Sequence, residues 1–238
     1  SPTVIPTVGS LVMAGAIPSG SGFSRPSTEF GGDSYIAGGT DRFADGKIVS
    51  GSAWFNVTGG GGTYRDIFST QNANLLKAGF AFGLDVNDFI ILAGENAAGT
   101  DILIATGNTD VSLTSGWQHV AFSIDLTDTG KRSIYINGVL DGTTWNTYTD
   151  DTLDLTNQDN IGGQSATVGW VGGLSQLWVS TEYVDFSVAA TLQKFRDTNG
   201  YAPYLGATGE YPTGTSPELL WLGDYADPLS NEGTGADF

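Results

Sequence analysis

A tight hairpin constrains the fold of this chain more than any other feature of the sequence. Along Trp117–Ile124, polar and apolar residues alternate with the period of a β-strand. Arg132–Ile136 then leads into Asn137-Gly138, a dipeptide in which both residues tolerate positive φ and which closes two-residue β-hairpins. Val139–Asp141 leaves that turn as the next strand. The segment therefore predicts consecutive antiparallel strands.

Similar strand-sized segments, separated by Gly, Asn, Asp and Thr, occur along most of the chain. They are Lys47–Val57, Tyr64–Ser69, Gly79–Asp85, Phe89–Ala93, Asp101–Ala105, Asn160–Gly162 and Trp170–Val179. One helix is predicted from Ser187 to Asp197, with Ser187 as its cap and Val188, Leu192 and Phe195 on its buried face. We therefore predict an all-β fold: a two-sheet antiparallel jelly-roll sandwich with one short helix near the C-terminal end.

The charge and composition exclude several classes of protein. The 238 residues carry 26 acidic against 9 basic residues, a net charge of −17, and nucleic-acid binding needs a basic surface instead. There is no cysteine, so a disulfide framework and thiolate metal sites are excluded. No apolar run is long enough to span a bilayer, and the first residues show no signal peptide. We expect no membrane insertion and no nucleic-acid partner.

The chain divides into three parts by composition. Residues 1–32 are rich in Gly, Pro and Ser and are interpreted as an arm or edge strand, and residues 33–200 as the sandwich. Residues 201–238 form a C-terminal extension that packs on the sandwich or on a neighbour. Within it, Leu219–Leu222 is either a final strand or an apolar arm that docks on another subunit.

The order of these signals resembles the laminin-G-like members of the concanavalin A-like jelly rolls, from about Phe30 to Arg196. The matching residues are Trp117, His119, Val120, Ser123 and Asp125, then Tyr135, Asn137 and Gly138, then Ile161 and Gly162, then Gly173, Ser175, Leu177 and Val179. The resemblance implies a lectin-like sandwich. Many family members carry Asp where this chain has Ser175, which puts an inherited calcium site in doubt.

A narrower resemblance is to laminin-G-like proteins of tailed bacteriophages. It rests on the hairpin Trp117–Leu126 and on the tail Tyr211–Glu218, followed by Leu219–Leu222 and Asn231–Phe238. It implies a non-enzymatic virion structural protein, capsid-decorating or tail- or fibre-associated, made in the host cytoplasm and located in the virion. The expected partners are other virion proteins and further copies of this chain. The resemblance leaves host-surface glycans open as additional ligands.

The residues needed for catalysis on polysaccharides are missing from the sequence pattern. Retaining glycosidases need two carboxylates close together, and no Glu-x-Asp-x-Glu strand exists here. Related lyases need Gln-x-His on one strand face, whereas Gln118 and His119 are adjacent and so face opposite sides. His119 is the only histidine and is interpreted as a packed, hydrogen-bonded residue. The sequence therefore predicts a protein that is not an enzyme and has no catalytic residues.

Three acidic loops contain oxygen ligands that calcium accepts. They are Asp85–Asp88, Asp125–Asp128 and Asp150–Asp154, and none has the spacing of an EF-hand. Asp and Asn also simply form turns. We predict no cofactor and no metal site, with calcium as the alternative that these loops leave open.

The candidate ligand-binding residues are Trp145, Asn146 and Tyr148, in a polar segment interpreted as a loop. An indole beside amide and hydroxyl groups can stack on a sugar ring while its neighbours bind the hydroxyls. The alternative is that Trp145 only anchors the loop. The second function considered is therefore a carbohydrate-binding module that recognises a cell-surface or polymeric glycan.

Overall fold

A computed structural model describes residues 3–6, 12–13, 26–71, 78–163, 168–224 and 226–238. The first nine strands are β1 (Thr3–Pro6), β2 (Val12–Met13), β3 (Thr28–Gly31), β4 (Ser34–Ala37), β5 (Ile48–Val57), β6 (Arg65–Gln71), β7 (Ala78–Leu84), β8 (Phe89–Glu95) and β9 (Asp101–Asp110). A 3-10 turn (Val111–Leu113) precedes β10 (Gln118–Asp125), β11 (Arg132–Ile136), β12 (Val139–Leu140), β13 (Thr144–Tyr148), β14 (Asp159–Ile161) and β15 (Val171–Ser180). Helix α1 (Ala189–Leu192) and β16 (Leu219–Trp221) complete the order.

The strands form two antiparallel sheets. Sheet A has the order β1-β4-β14-β6-β7-β8-β9-β13, and sheet B has the order β12-β11-β10-β5-β15-β3-β2, with β16 paired to β15. The predicted all-β jelly-roll sandwich is confirmed. Most of the predicted strands are present, including the Asn137-Gly138 hairpin between β11 and β12. Leu219–Trp221 pairs with β15, so this segment is a closing strand.

Alternation determines which side chains lie between the sheets. In β10, Val120, Phe122 and Ile124 join the main core, whereas Ala121 faces the other side. The rings of Phe82 in sheet A and Phe122 in sheet B lie 4.8 Å apart between their centroids. Burial of this apolar interior supplies the main stabilisation of the sandwich.

The outer face of sheet B is covered by a third layer, which we call the C-terminal segment (residues 181–224). Its apolar side chains pack on Ala121 and Trp178 in a second cluster that also contains Val184, Phe186, Leu192, Phe195, Leu205 and Leu220. The Trp178 indole N–H donates to the carbonyl of Gly209 at 3.0 Å. Trp54 and Trp178 are thus buried beneath this segment and not between the sheets.

The predicted helix is much shorter than its sequence pattern indicated. Asp185 accepts hydrogen bonds from the backbone N–H and the hydroxyl of Ser187, so Ser187 forms a turn and does not cap the helix. Val188 is 48% exposed, contrary to the prediction that it lies on the buried face. After Leu192 the chain tightens into turns that place Phe195 between Trp178 and Phe186, with centroid distances of 5.1 and 5.3 Å. Packing of Phe195 therefore takes precedence over helix propensity.

Most of the predicted N-terminal arm lies outside the described residues; β1, β2 and β3 are the described strands within residues 1–32. No helix in the described part of the chain is long and apolar enough to cross a membrane.

Candidate functional site: the acidic rim

Several strands of both sheets begin or end at one edge of the sandwich, which we call the rim. β5 begins there at Ile48 and pairs with the last residue of β10, Asp125. β8 ends there at Glu95, opposite Asp101 of β9, and β13 ends nearby at Tyr148. Since Asp125–Asp128 and Asp150–Asp154 follow strands that end at this rim, two of the three acidic loops converge on it.

Two adjacent cavities open at the rim. One has a volume of about 230 Å³ and is lined by Asp45, Asn96, Ala97, Ala98, Asp151, Thr152 and Asp154. The other measures about 350 Å³ and is lined by Ala44, Asp45, Gly46, Lys47, Ile48, Asp125, Thr127 and Thr181. Asp45 lines both, so we treat them as one rim groove. The larger cavity is at the lower end of the range for small-molecule sites, and the smaller one is below it.

Hydrogen bonds between loops hold the first cavity in shape. Asp45 Oδ1 accepts from the backbone N–H of Leu155 at 2.8 Å, which connects the loop before β5 to the loop after β13. Asn96 Nδ2 donates to Asp151 Oδ2 at 2.7 Å, and this bond lowers the pKa of Asp151. The groove is therefore lined by an ionised carboxylate held in a fixed position.

Asp125 organises the second cavity. Its Oδ1 accepts from the Thr127 hydroxyl at 2.6 Å, and its Oδ2 accepts from Lys131 Nζ at 3.3 Å. The hydrogen bond from Thr127 is the main reason that the pKa of Asp125 is lowered. On the other side of the groove, Lys47 Nζ lies 2.7 Å from Asp150 Oδ1 in an exposed ion pair. The rim thus combines fixed acceptors, hydroxyl groups and two ammonium groups.

A family-level comparison establishes what this sandwich is. Residues 30–184 match the family described as the concanavalin A-like lectin/glucanases superfamily. The chain belongs to this superfamily. No curated protein matches the chain in sequence.

Solved structures agree with the superfamily at the level of fold. The binding domain of botulinum neurotoxin serotype G aligns with a TM-score of 0.55 at 13% identity, over 80% of this chain and 46% of that one. A putative carbohydrate binding protein from Bacteroides ovatus aligns with a TM-score of 0.50 at 20% identity, over 67% and 44% of the two chains. A SAP-like pentraxin from Limulus polyphemus has a TM-score of 0.47 at 17% identity, over 75% and 80%. The chain spans less than half of the first two structures, and it shares with them the jelly-roll sandwich fold.

Trp145, Asn146 and Tyr148 lie in strand β13, not in the loop that the sequence predicted. β13 pairs with β9 at the edge of sheet A, with a bulge between Trp145 and Thr147 that leaves Asn146 exposed. Trp145 and Tyr148 are half-buried and pack against the main core, with their rings 5.5 Å apart. The guanidinium of Arg132 stacks on both rings, at 5.0 and 4.7 Å from their centroids. The two rings thus pack on the core from the edge strand of sheet A.

Tyr148 connects this edge to the rim. Its hydroxyl donates to the backbone carbonyl of Asp125 at 2.8 Å, and burial raises the pKa of Tyr148 to about 12. Of the three residues named from the sequence, Tyr148 therefore contacts the backbone of a residue that lines the rim groove. Asn146 is exposed to solvent.

His119 and Ser175, two residues of the sequence motif, lie away from the rim. His119 is fully buried under the C-terminal segment and makes a hydrogen bond with Ser52, as the sequence indicated. Ser175 donates to the backbone carbonyls of Pro26 and Leu222. Ser175 thus helps to hold β16 and the chain before β3 against the sheet.

The third acidic loop, Asp85–Asp88, lies at the opposite end of the sandwich. Asp88 forms an ion pair there with the buried guanidinium of Arg65, which also donates to the carbonyl of Gly59 at 2.7 Å. The four-glycine run 59–62 therefore wraps around Arg65. Among the described residues, no group of three or more His, Cys, Asp or Glu side chains is arranged to hold a metal ion.

Sequence reasoning identified the two acidic loops of the rim but missed its remaining residues. Asp45 and Asn96 are distant in sequence from both loops, and each sits in a short turn with no recognisable motif. Only the pairing of β5, β8, β10 and β13 brings them together.

Proposed function

We propose that this chain is a non-catalytic glycan-binding domain whose ligand occupies the rim groove. The observation that carries the proposal is the convergence of hydrogen-bonding groups from five separate segments of the chain on two adjacent cavities. The groups are the carboxylates of Asp45, Asp125, Asp151 and Asp154, the amide of Asn96, and the hydroxyls of Thr127, Thr152 and Thr181.

The chemistry of these groups suits a polyhydroxylated ligand. Each carboxylate accepts hydrogen bonds from hydroxyl groups, and threonine hydroxyls both donate and accept. The four carboxylates that line the groove outnumber the ammonium groups of Lys47 and Lys131, which disfavours an anionic sugar. The expected ligand is therefore a neutral or amino-substituted glycan. The similarity in fold to a protein described as a putative carbohydrate binding protein is consistent with this assignment.

The ionisation of the groove supports binding over hydrolysis. A glycosidase general acid needs a raised pKa so that it carries a proton at neutral pH. Asp125 and Asp151 both have a lowered pKa, because hydrogen bonds stabilise their charged forms. Groups with strongly raised or lowered pKa lie elsewhere: burial raises the pKa of Asp66, in β6, to about 7.

The proposal is tested on a glycan array, followed by calorimetry with any glycan that binds. Asp151→Asn and Asp154→Asn keep the shape of the groove and remove one charge each, and we expect about a tenfold loss of affinity from either. Asp110→Asn is the matched control, because it removes a charge at the far end of β9 and asparagine caps the 3-10 turn as well as aspartate. Absence of binding on a broad array, or equal losses for all three variants, contradicts the proposal.

We also propose, as a second candidate, that the chain is a bacteriophage virion structural protein that displays this domain. Its support is the resemblance of the tail from Tyr211 to Phe238 to tails of phage virion proteins, together with an exposed apolar edge on sheet B. In β12, Val139 and Leu140 are 70% and 60% exposed, and such apolar surface is typical of contacts between subunits. Partners would then be other virion proteins or further copies of the chain.

Light scattering coupled to size exclusion, with detection of the protein in purified particles, tests this candidate. We expect an oligomer or a particle-bound protein. A strictly monomeric protein that is missing from particles contradicts it, and leaves the glycan-binding proposal intact.

A further inference from the structure

A row of residues crosses the outer face of sheet B at the end opposite the rim. Asn56 of β5 pairs with Gly173 of β15, and Gly173 pairs with Glu29 of β3. Trp117 immediately precedes Gln118, which pairs with Phe55, so the indole continues the row beyond Asn56. We call these four residues the Trp117 row.

The side chains of the row point away from the main core. Phe55, Leu174 and Phe30, the neighbours of Asn56, Gly173 and Glu29 along their strands, belong to the interior cluster. Because successive side chains in a strand face opposite sides, the Trp117 row faces outward.

Gly173 allows two functional groups to meet over the sheet. A Cβ atom placed on Gly173 would lie 2.7 Å from Cη2 of Trp117 and 3.3 Å from Oε2 of Glu29. The indole edge and the carboxylate therefore converge on the same point, and any side chain at position 173 would displace them.

The row lies at the margin of the layer that covers sheet B. The next row inward contains Trp54, which is buried and packs with Ala202 of the C-terminal segment. Trp117 packs against this pair on one side but is only half-buried, as are Asn56 and Glu29. The row thus presents an aromatic ring, an amide and a carboxylate that are partly open to solvent.

Within the described part of the chain, the carboxylate of Glu29 accepts one hydrogen bond, from the Thr58 hydroxyl. Its contact with the Thr58 hydroxyl is long, at 3.5 Å. Burial raises the pKa of Glu29, so a ligand hydroxyl that donates to this carboxylate would stabilise its charged form. An amide, a carboxylate and an indole side by side recognise a ligand with hydroxyl groups around an apolar ring face, which is the chemistry of a neutral sugar.

We propose that the Trp117 row is a second sugar-binding site, in which a neutral pyranose or furanose ring packs on Trp117 and donates a hydroxyl to Glu29. Eight residues of β10 separate Trp117 from Asp125 of the rim, or roughly 25 Å at ~3.3 Å per residue. The two sites lie at opposite ends of one strand, and the second does not depend on the first. A long glycan that reached both would gain affinity from linkage alone.

The experiment is ¹⁹F NMR on protein labelled with 5-fluorotryptophan. The chain has six tryptophans, and Trp117→Phe identifies the resonance of Trp117. The probes are neutral mono- and oligosaccharides of glucose, galactose, mannose, xylose and arabinose, titrated to their solubility limits. We expect a saturable shift of the Trp117 resonance with at least one of these sugars.

Three variants make the result specific. Glu29→Gln removes the charged acceptor and should weaken the titration about tenfold. Gly173→Ala should also weaken it, because the added methyl displaces the indole without removing a ligand contact. Asp151→Asn, at the rim, should leave the Trp117 titration unchanged. In each variant, an unchanged Trp178 resonance shows that the sandwich is folded.

The proposal is overturned if the Trp117 resonance does not move with any sugar in the folded protein. It is also overturned if the shift disappears in Asp151→Asn, since the indole would then be reporting binding at the rim. A Trp117 shift that persists in the rim variants Asp151→Asn and Asp154→Asn supports the second site. This holds whether or not the rim groove itself binds a glycan.

Discussion

The imidazole of His119 lies 2.8 Å from the hydroxyl of Ser52, measured from Nε2 to Oγ, on the outer face of sheet B. The C-terminal segment seals this pair from solvent, and Nδ1 of His119 has no hydrogen-bond partner among the described residues. Burial, with a smaller contribution from the charge of Arg196, lowers the pKa of His119 to about 3. The ring is therefore neutral in the folded protein under ordinary conditions.

This burial makes stability depend on pH in one direction. The unfolded chain takes up a proton at His119 near pH 6.5, whereas the folded protein does so only near pH 3. The contribution of the neutral ring to the free energy of unfolding is thus complete above pH 6.5 and is lost as the pH falls towards 3. At pH 4 the free energy of unfolding should be lower by about 3 kcal/mol. Urea unfolding of the wild type and of His119→Gln at pH 7 and pH 4 measures it. The wild type should lose more stability than the variant; equal losses would show that His119 titrates normally.

Trp145 should matter more for stability than for binding. Its half-buried ring packs on Tyr148 and beneath Arg132 at the edge of the core, so Trp145→Ala should destabilise the protein by about 2 to 3 kcal/mol. Trp145→Phe should lose less, since it keeps an aromatic ring for Arg132. Thermal unfolding measures the stability and calorimetry the glycan affinity. A large loss of affinity without a loss of stability would instead favour the sugar-stacking hypothesis for Trp145.

Gly51 should tolerate no side chain. A Cβ atom at this position would lie 2.5 Å from Cε1 of Phe122, in the packed interior between the sheets. Gly51→Ala should therefore cost about 1 to 3 kcal/mol through overpacking. Gly39→Ala is the matched control, because no atom lies within 4 Å of the corresponding point. Similar melting temperatures for the two variants would contradict this packing.

Phe238 should stabilise the sandwich as a core residue. Its side chain is fully buried in the main cluster, and the guanidinium of Arg42 stacks 4.4 Å from the ring centroid while forming a buried ion pair with Asp159. Phe238→Ala should cost about 3 kcal/mol in denaturant unfolding. Phe238→Leu should recover much of that loss. If the alanine variant is as stable as the wild type, residues near Phe238 do not pack as described.

The strands were predictable from sequence where local alternation and tertiary burial agree. In β10, Val120 and Phe122 alternate with Ala121, and the sandwich buries them accordingly. Trp145 shows the opposite case, because its polar neighbours suggested a loop, whereas its ring is needed to cover the edge of the core. The predicted helix ends early, at Leu192, and Phe195, which follows it in a turn, packs against Trp178.

The candidate site was predictable only in part. Asp125 and Asp151 belong to acidic loops that are recognisable in the sequence as candidate ligand sites. Asp45, which lines both cavities, gains its position from backbone hydrogen bonds to a loop more than a hundred residues away. The environment of Trp117 was not predictable either, because alternation places its side chain on the outer face but does not reveal that the ring packs against Trp54 and Ala202 and stays half-buried.

Backbone ¹H–¹⁵N NMR during titration with an array-selected glycan tests the central claim most directly. If the glycan occupies the rim groove, the amide resonances of residues 45–47, 96–98, 127 and 151–154 should shift together and saturate with a single affinity. Asp151→Asn should lower the affinity measured from all of these resonances about tenfold. If a glycan binds the folded protein while these amides stay unmoved, the rim groove is not its binding site.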